Sequence, residues 1–208
     1  MRHCLLPICL QIGVFKAQKI LEPKIFLISA PSGAGKTTLT EACLPFLPNL
    51  KRAITHTTRK PRSNQKEQNA VDYYFVSDQE FEEGIKQGAF LEWQAIYQYK
   101  YGTSFQAVED VKKMGKHVLL VIDVEGARSL RKLHLPNLFS IFIHVPTVEE
   151  ILARLSLRKT ESKEDIQERI SRYQEEISSR YEFDCVLINR NFQQLTQNFV
   201  SLVRAFSL

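Results

Sequence analysis

The clearest candidate for chemistry is a glycine-containing stretch near the start of the chain, APSGAGKT, which runs from Ala30 to Thr37. It fits the phosphate-binding loop pattern G-x-x-x-x-G-K-[ST], with Ala30 in place of the first glycine. Gly33 and Gly35 allow the backbone conformations that aim successive N–H groups at an anion. We therefore expect this loop to bind phosphate groups.

The last two residues of the motif have the chemistry of a nucleotide site. Lys36 would hold the β- and γ-phosphates, and the Thr37 hydroxyl would ligate Mg²⁺. The alternative is a strand-to-helix turn that is rich in glycine by chance. The loop lies directly between a hydrophobic run and a helix-forming segment. That arrangement places the positive end of the helix at the anion and favours phosphate binding.

A second group of polar residues begins with TTRKPR at Thr57 and continues with DYYF at Asp72. Arg59 and Arg62 could hold a phosphate dianion bidentately through their guanidinium groups, and tyrosine hydroxyls would add neutral hydrogen bonds. A solvated basic surface loop is the alternative for two arginines beside a proline. Two phosphate-binding motifs in one chain favour phosphate contact.

The elements that must position these residues alternate between strands and helices. This alternation predicts right-handed crossovers and an α/β fold of the P-loop NTPase type, with a parallel β-sheet core flanked by helices. Hydrophobic runs predict strands at Lys24–Ala30, His117–Ile122, Ser140–Val145 and Cys185–Ile188. Helical spacing predicts helices at Lys36–Leu44, Val148–Leu157, Glu164–Ser179 and Phe192–Phe206, and one more after the strand at 117–122.

The segment between the first two predicted strands differs in composition. Lys51–Tyr74 is polar, basic and rich in turn residues, which predicts a loop-dominated insertion. Asp78–Gln87 follows with the spacing of a short amphipathic helix, for which Ser77 or Asp78 would be the N-cap and Gly88 the end.

Length and composition limit the class of protein. The 208 residues, of which 44% are hydrophobic and 25% charged, predict one globular unit with inserted subdomains. The net charge of +5 is compatible with nucleic acid, an acidic membrane or phosphorylated small molecules as partners. The four cysteines lack the spacing of a metal site or a C-x-x-C pair, which favours a reduced, metal-free cytosolic chain.

The first 22 residues are interpreted as an N-terminal extension. The apolar stretch from Cys4 to Leu10 loosely imitates a secretory leader, but it contains Pro7 and has no obvious cleavage site. It is also much shorter than a membrane-spanning helix, which needs about 18 apolar residues.

The loop SAPSGAGKTT, together with TTRKPR and the DYYF that follows it, makes the chain resemble guanylate kinase from Lys24 to the C-terminus. This resemblance implies that the γ-phosphoryl group of ATP is transferred to GMP, with Mg²⁺ accompanying ATP. It implies a core of residues 23–52, 107–150 and 170–208, an inserted GMP-binding region of residues 53–106, and a helical lid of residues 151–169.

The resemblance also implies a role for individual residues. The ATP contacts would be Ala30, Pro31, Ser32, Gly33, Ala34, Gly35, Lys36, Thr37, Thr38 and, on the adenine side, Asn189. The GMP phosphate would be held by Arg59, Arg62, Tyr73 and Tyr101, and the guanine would be read by Thr55, Glu92 and Thr103. Asp123 would face either the Mg²⁺ shell or the acceptor. The catalytic set would be Lys36, Arg59 and the lid arginines Arg154, Arg158 and Arg169.

For several of these residues a structural interpretation is the alternative. Glu92 alone would be a solvated glutamate, and Arg154 and Arg158, one helical turn apart, could lie on a solvated helix face. Against the family pattern, Val121 replaces an acidic residue, Arg190 replaces another, and Ala70 replaces a glycine in a loop with about two extra residues. These departures concern contacts and local conformation rather than the family.

Two functional alternatives remain at this point. One is a kinase for another monophosphate, such as AMP or UMP, on the same fold. The other is a catalytically silent protein-binding module, which would need neither Lys36 nor the lid arginines. For the favoured enzyme we expect direct in-line transfer without a general base, ATP and GMP as small-molecule partners, no nucleic acid or membrane partner, a cytoplasmic location, and a monomer or weak homo-oligomer.

Overall fold

The computed structural model describes residues 22–31, 33–62, 66–96, 98–156, 171 and 173–207, and within these ranges the chain forms two β-sheets. In the larger sheet the described strands are all parallel. From one edge to the other they are β2 (Leu50–Arg52), β7 (His117–Val121), β1 (Ile25–Ser29), β8 (Leu138–His144) and β9 (Cys185–Ile188).

The central strand β1 is covered on both faces of the sheet. All five of its residues are buried, and alternate side chains enter two separate clusters. Phe26 and Ile28 join Phe199 in the first cluster. Leu27 joins Leu130 in the second. A hydrophobic run without polar interruption is the pattern that such a doubly covered strand requires.

The described α-helices connect the strands, and most of them cover the two faces of the larger sheet. They are α1 (Lys36–Cys43), α2 (Asp78–Lys86), α3 (Phe105–Lys113), α4 (Val124–Lys132), α5 (Val148–Ser156), α6 (173–178) and α7 (Phe192–Phe206). Among their side-chain N-caps, Ser104 accepts from the Ala107 amide, Asp123 from Gly126, and Asn191 from Gln194. These caps satisfy amide groups that lack an intrahelical partner.

The smaller sheet lies within the inserted region and contains β4 (Tyr74–Phe75), β3 (His56–Thr57), β6 (Tyr99–Ser104) and β5 (Phe90–Ile96), in that order. Helix α2 packs against it, and the rings of Phe81 and Phe90 stack with centroids 4.5 Å apart. Gly102 leaves room for this contact, because a Cβ there would lie within 3.0 Å of both rings.

The parallel sheet, the loop between β1 and α1, and the final strand and helix confirm the predicted fold. The N-cap of α2 is Ser77, in a capping box with Glu80. The segment 51–74 is mostly loop as predicted, but it also contributes three short strands, and the β5–β6 hairpin and helix α3 were not predicted. Half of the predicted helix Glu164–Ser179 lies outside the described residues; 171 and 173–178 are helical, and Ser179 begins a short 3-10 helix.

Among the described residues no helix is both long enough and apolar enough to cross a membrane.

Candidate active site

A cavity of about 320 Å³ lies where the carboxyl ends of β1 and β7 face the smaller sheet. Ligands of open α/β sheets bind at this edge. The phosphate loop lines one side of the cavity, through Ala30, Pro31, Gly33, Gly35, Lys36, Thr37 and Thr38. The inserted region lines the other, with Thr55, Arg59, Arg62, Tyr73, Glu92 and Tyr101. The two predicted phosphate-binding motifs therefore share one cavity.

The phosphate loop has the backbone conformation that its glycines predict. Gly33 and Gly35 have φ angles of 82° and 93°, in the left-handed region that favours glycine. Gly35 is the N-cap of α1, so the positive end of that helix faces the cavity. Lys36 Nζ donates a hydrogen bond of 2.5 Å to the carbonyl oxygen of Ala30, which curls the side chain back over the loop. Ser32 lies outside the described residues.

Asn189, the residue after β9, supports the loop from behind. Its side-chain Nδ2 donates to the carbonyl oxygen of Ala34 at 3.0 Å, and its backbone amide donates to His144 at 2.8 Å. The residue is only 4% exposed. The structure thus places Asn189 beneath the phosphate loop and outside the lining of the cavity.

Arg59 is held by a pair of short contacts with Glu67. Its Nη2 lies 2.8 Å from Glu67 Oε1 and its Nη1 2.9 Å from Oε2, while Nη1 also donates to the Lys60 carbonyl at 2.7 Å. Burial would by itself raise the pKa of the Glu67 carboxyl, but hydrogen bonds from Arg59 and the Arg62 amide outweigh it and lower that pKa. The pair is therefore ionised at neutral pH.

Two tyrosines complete this end of the cavity. The guanidinium carbon of Arg59 lies 5.4 Å from the centre of the Tyr73 ring, within the range of a cation–π contact. The rings of Tyr73 and Tyr101 meet edge to face at 6.2 Å. Burial, followed by the nearby Tyr101, raises the pKa of Tyr73, so its hydroxyl stays neutral. Arg62 is more exposed, with 44% of its side chain accessible.

Glu92 is a buried carboxylate at the junction between the smaller sheet and the core. It is 6% exposed, and its Oε1 accepts hydrogen bonds from the Thr103 amide at 3.1 Å and the Thr103 hydroxyl at 2.7 Å. Burial raises the pKa of Glu92 to about 7, and the charge of Asp123 raises it too, although the bonds from Thr103 act in the opposite direction. Thr103 thus supports Glu92 from behind rather than lining the cavity.

Asp123 lies at the end of β7 and begins helix α4. Its Oδ1 accepts a hydrogen bond of 2.7 Å from the Gly126 amide. Gly126 also touches Glu92, because a Cβ at position 126 would come within 2.8 Å of Glu92 Oε2. The carboxylates of Glu92 and Asp123 both lie close to Gly126. The inserted region, which contains Glu92, therefore meets the core, which contains Asp123, at the base of the cavity.

The family model for guanylate kinase matches residues 22–205. The chain belongs to the guanylate kinase family.

Individual relatives agree with this family. The chain is 42% identical over 181 residues to the guanylate kinase of Coxiella burnetii, covering 87% of this chain and 86% of the relative. It is 38% identical to that of Rubrobacter xylanophilus, covering 87% and 93%. The crystal structure of guanylate kinase from Anaplasma phagocytophilum superposes with a TM-score of 0.70 at 28% identity, covering 88% of this chain and 85% of that one.

Membership of the guanylate kinase family confirms the resemblance, the fold and the predicted enzyme class, an ATP:GMP phosphotransferase. The roles of the individual residues stay predictions. The cavity brings together most of them, whereas Ala34, Thr103 and Asn189 lie behind its wall.

The residues present fit the Mg²⁺ that a guanylate kinase would use with ATP. Thr37 and Asp123 both line the cavity and offer oxygen ligands, which Mg²⁺ prefers. Among the described residues no group of three or more His, Cys, Asp or Glu side chains could hold a metal. Two such oxygen ligands, from Thr37 and Asp123, match the usual protein contribution to Mg²⁺, which water and substrate phosphates supplement.

The predicted lid, residues 151–169, is described only at its start, residues 151–156. Arg154 belongs to α5, but its side chain, like the whole of Arg158 and Arg169, lies outside what the structure describes. Helix α6, on the return from the lid, contributes Glu176 to the cavity. Glu176 was not predicted, because a glutamate in a polar helical segment carries no motif.

Five further lining residues were not predicted as site residues. They lie on the β5–β6 hairpin and at the end of β7, and they belong to no sequence motif that would have identified them as site residues. They are Gln94, Ile96, Tyr99, Val121 and Ile122. Val121 lines the cavity where the family pattern has an acidic residue, so an apolar side chain takes that place.

Proposed function

We propose that the protein transfers the γ-phosphoryl group of ATP directly to the phosphate of GMP, with ATP at the phosphate loop and GMP in the inserted region. One observation carries this proposal: the phosphate loop with Lys36 and the buried Arg59 line the same cavity. Two anion-binding ends in one cavity suit two nucleotides that meet at their phosphates.

The donor side would use the backbone of residues 30–38 and the Lys36 ammonium group. When ATP arrives, Lys36 would move from the Ala30 carbonyl to the β- and γ-phosphates. Thr37 and Asp123 would hold Mg²⁺, which neutralises charge on the phosphate oxygens. Asn189 would keep the loop in place through Ala34.

The acceptor phosphate would be held by Arg59, Arg62, Tyr73 and Tyr101, while Thr55, which also lines the cavity, would help to read the guanine. Arginine side chains match phosphate oxygens with two parallel N–H groups, and neutral tyrosine hydroxyls add hydrogen bonds without further charge. The phosphate is already ionised near neutral pH, so the transfer needs positioning and charge neutralisation rather than a general base.

Glu92, supported by Thr103, would read the base. A carboxylate accepts hydrogen bonds from both N1–H and the exocyclic amine of guanine, whereas adenine has no proton on N1. A base that leaves this buried carboxylate unpaired would lose several kcal/mol, which is enough to reject it.

Arg154, Arg158 and Arg169 would close over the phosphates as parts of a lid. Mobile guanidinium groups can neutralise the charge that develops on the transferring group and exclude water from it.

The same proposal makes the protein a cytoplasmic enzyme that supplies purine nucleotides and recycles GMP. It would act as a monomer or a weak homo-oligomer.

A coupled assay with ATP and a series of acceptors tests the proposed function. We expect GMP to be the best acceptor by a wide margin over AMP and UMP. A higher kcat/KM with AMP or UMP would identify a different monophosphate kinase, and no ATP consumption with any acceptor would identify a silent binding module.

The phosphate loop is tested with Lys36→Ala, which should abolish turnover while GMP binding remains. Lys113→Ala, an exposed lysine near the end of α3, is the matched control and should leave turnover unchanged. Near-normal turnover of Lys36→Ala would contradict the role proposed for this lysine.

A further inference from the structure

Glu67 is a nearly buried carboxylate that the cavity-lining set does not include. We propose that Glu67 is a positioning residue for the acceptor phosphate, because it fixes the guanidinium group of Arg59 so that its Nε–H edge faces the incoming phosphate. The inference rests on the proposed function, since the phosphate is that of GMP. Glu67 itself would not touch the substrate.

Glu67 occupies one whole edge of the Arg59 guanidinium group. The two carboxylate oxygens accept from Nη1 at 2.9 Å and from Nη2 at 2.8 Å, which is the paired geometry of a bidentate ion pair. Each side chain of the pair is only 8% exposed. Such a pair fixes the plane of the guanidinium group as well as its distance.

The remaining donors of Arg59 are the ones that would meet the phosphate. The carbonyl oxygen of Lys60 takes a second hydrogen of Nη1. The buried Nε, in contrast, has no hydrogen-bond partner among the residues that the structure describes. A guanidinium group whose Nη1–Nη2 edge is occupied offers its adjacent edge, which includes Nε–H, to another oxyanion. Because Arg59 lines the cavity, a phosphate there could accept that bond.

Glu67 also links the second predicted phosphate ligand to the first. Its Oε2 accepts a hydrogen bond of 2.6 Å from the backbone amide of Arg62, and its Oε1 lies 3.9 Å from Nη1 of Arg62. A single carboxylate therefore sets the spacing between Arg59 and Arg62.

A positioning role for Glu67 and a role in charge neutralisation alone predict opposite changes in GMP affinity when Glu67 is removed. Glu67 cancels one positive charge beside the proposed phosphate site, so its removal would strengthen the attraction for a dianion if charge alone mattered. If Glu67 orients Arg59, its removal would weaken binding despite the gain in positive charge. The direction of change in GMP affinity thus separates the two roles.

Glu67→Gln is the decisive variant, because the amide keeps the shape but cannot accept from both guanidinium nitrogens. We expect the KM and Kd for GMP to rise about tenfold or more, the loss of a charge-assisted hydrogen bond, with the KM for ATP unchanged. Glu182→Gln is the matched control, since it breaks another two-oxygen contact with an arginine, Arg128, outside the cavity. Unchanged or tighter GMP binding in Glu67→Gln would overturn the proposal.

A double-mutant cycle with Arg59→Ala shows whether Glu67 acts through Arg59. In the Arg59→Ala background the same Glu67→Gln change should alter the KM for GMP by less than about twofold, because the group it orients is gone. An undiminished effect of Glu67→Gln in that background would show a general structural role and refute positioning. Circular dichroism and ATP affinity of each variant identify any loss of folding.

Inorganic phosphate as a probe separates this inference from the proposed function. The ¹H–¹⁵N resonance of Arg59 Nε should shift when phosphate is added to the wild-type protein, and Glu67→Gln should need about tenfold more phosphate for the same shift. If the wild type does not phosphorylate GMP but this Glu67-dependent shift is observed, the proposed function fails and the positioning role stands. An equal phosphate response in both proteins refutes the positioning role.

Discussion

Gly126 of helix α4 lies so close to Glu92 of strand β5 that a Cβ at position 126 would be 2.8 Å from the Glu92 Oε2 atom. The same Cβ would be 3.0 Å from Oδ1 of Asp123. The missing side chain of one residue thus makes room for the carboxylate that is proposed to read guanine.

Gly126→Ala should therefore weaken the recognition of guanine. Thr103 fixes Glu92 from the opposite side, so the carboxylate can yield only by leaving its position. We expect kcat/KM for GMP to fall about tenfold or more, with a smaller preference for GMP over AMP. Alanine is the better helix residue by about 1 kcal/mol, so the thermal stability should not fall in parallel. Unchanged kcat/KM values for both acceptors would contradict the steric role of Gly126.

Asn189→Ala should loosen the phosphate loop without touching the acceptor side. The substitution removes a buried hydrogen bond to the Ala34 carbonyl, which would cost about 0.5–1.5 kcal/mol. We expect a higher Kd for ATP and an unchanged Kd for GMP, measured by isothermal titration calorimetry. An equal loss of both affinities would show that Asn189 supports the whole fold rather than the loop.

The binding of GMP should release a proton from Glu92 at mildly acidic pH. In the empty site the pKa of Glu92 is about 7, and a guanine that donates to the carboxylate requires its ionised form. GMP affinity should consequently fall as the pH drops from 8 to 6. Calorimetry in two buffers of different ionisation enthalpy measures the released proton, and Glu92→Gln controls for titration of the GMP phosphate. Equal proton release in the two proteins would contradict this linkage.

The same carboxylate should reduce the stability of the free protein at alkaline pH. Its pKa is raised on folding, so the folded state binds more protons than the unfolded state between pH 4.5 and about 7. The free energy of unfolding loses on the order of 3 kcal/mol from this group as the pH rises through that window. Glu92→Gln should accordingly raise the Tm at pH 8 more than at pH 5, as measured by differential scanning calorimetry. If the Tm difference between Glu92→Gln and the wild type were the same at both pH values, destabilisation by the ionised Glu92 would be excluded.

Ala70→Gly should stabilise the protein, because Ala70 adopts a φ angle of 61° where the family pattern has glycine. An L-residue in this left-handed conformation costs about 1–2 kcal/mol, part of which the greater chain entropy of glycine cancels. We expect a gain of about 0.5–1 kcal/mol in urea unfolding. Ala127→Gly in helix α4, a site with helical geometry, is the control and should destabilise. A loss of stability in Ala70→Gly would mean that the angle carries no strain.

The sequence predicted those parts of the site that depend on local residues. The glycines of the phosphate loop require left-handed conformations, and the run from Ile25 to Ile28 is hydrophobic throughout, so both features were recognised without tertiary information. Cys185–Ile188 and Phe192–Phe206 match the structure residue for residue.

The hairpin was harder to predict because its pattern depends on partners far away in the chain. In β5 the consecutive residues Leu91 and Glu92 are both buried, at an irregularity in the pairing with β6, so strict alternation is lost. The role of Gly126 depends on contact with Glu92, 34 positions earlier in the sequence. Glu176 reaches the cavity only because helix α6 returns from the lid region.

The Ala30 carbonyl accepts a hydrogen bond from the Lys36 ammonium group that a phosphate oxygen of ATP would accept in the complex. ATP would then bind by exchanging one acceptor of the lysine for another. The affinity for ATP would reflect the difference in strength between the hydrogen bond from Lys36 to Ala30 and the bond from Lys36 to the triphosphate. The measured enthalpy of binding would therefore be smaller than the enthalpy of the lysine–phosphate bond alone.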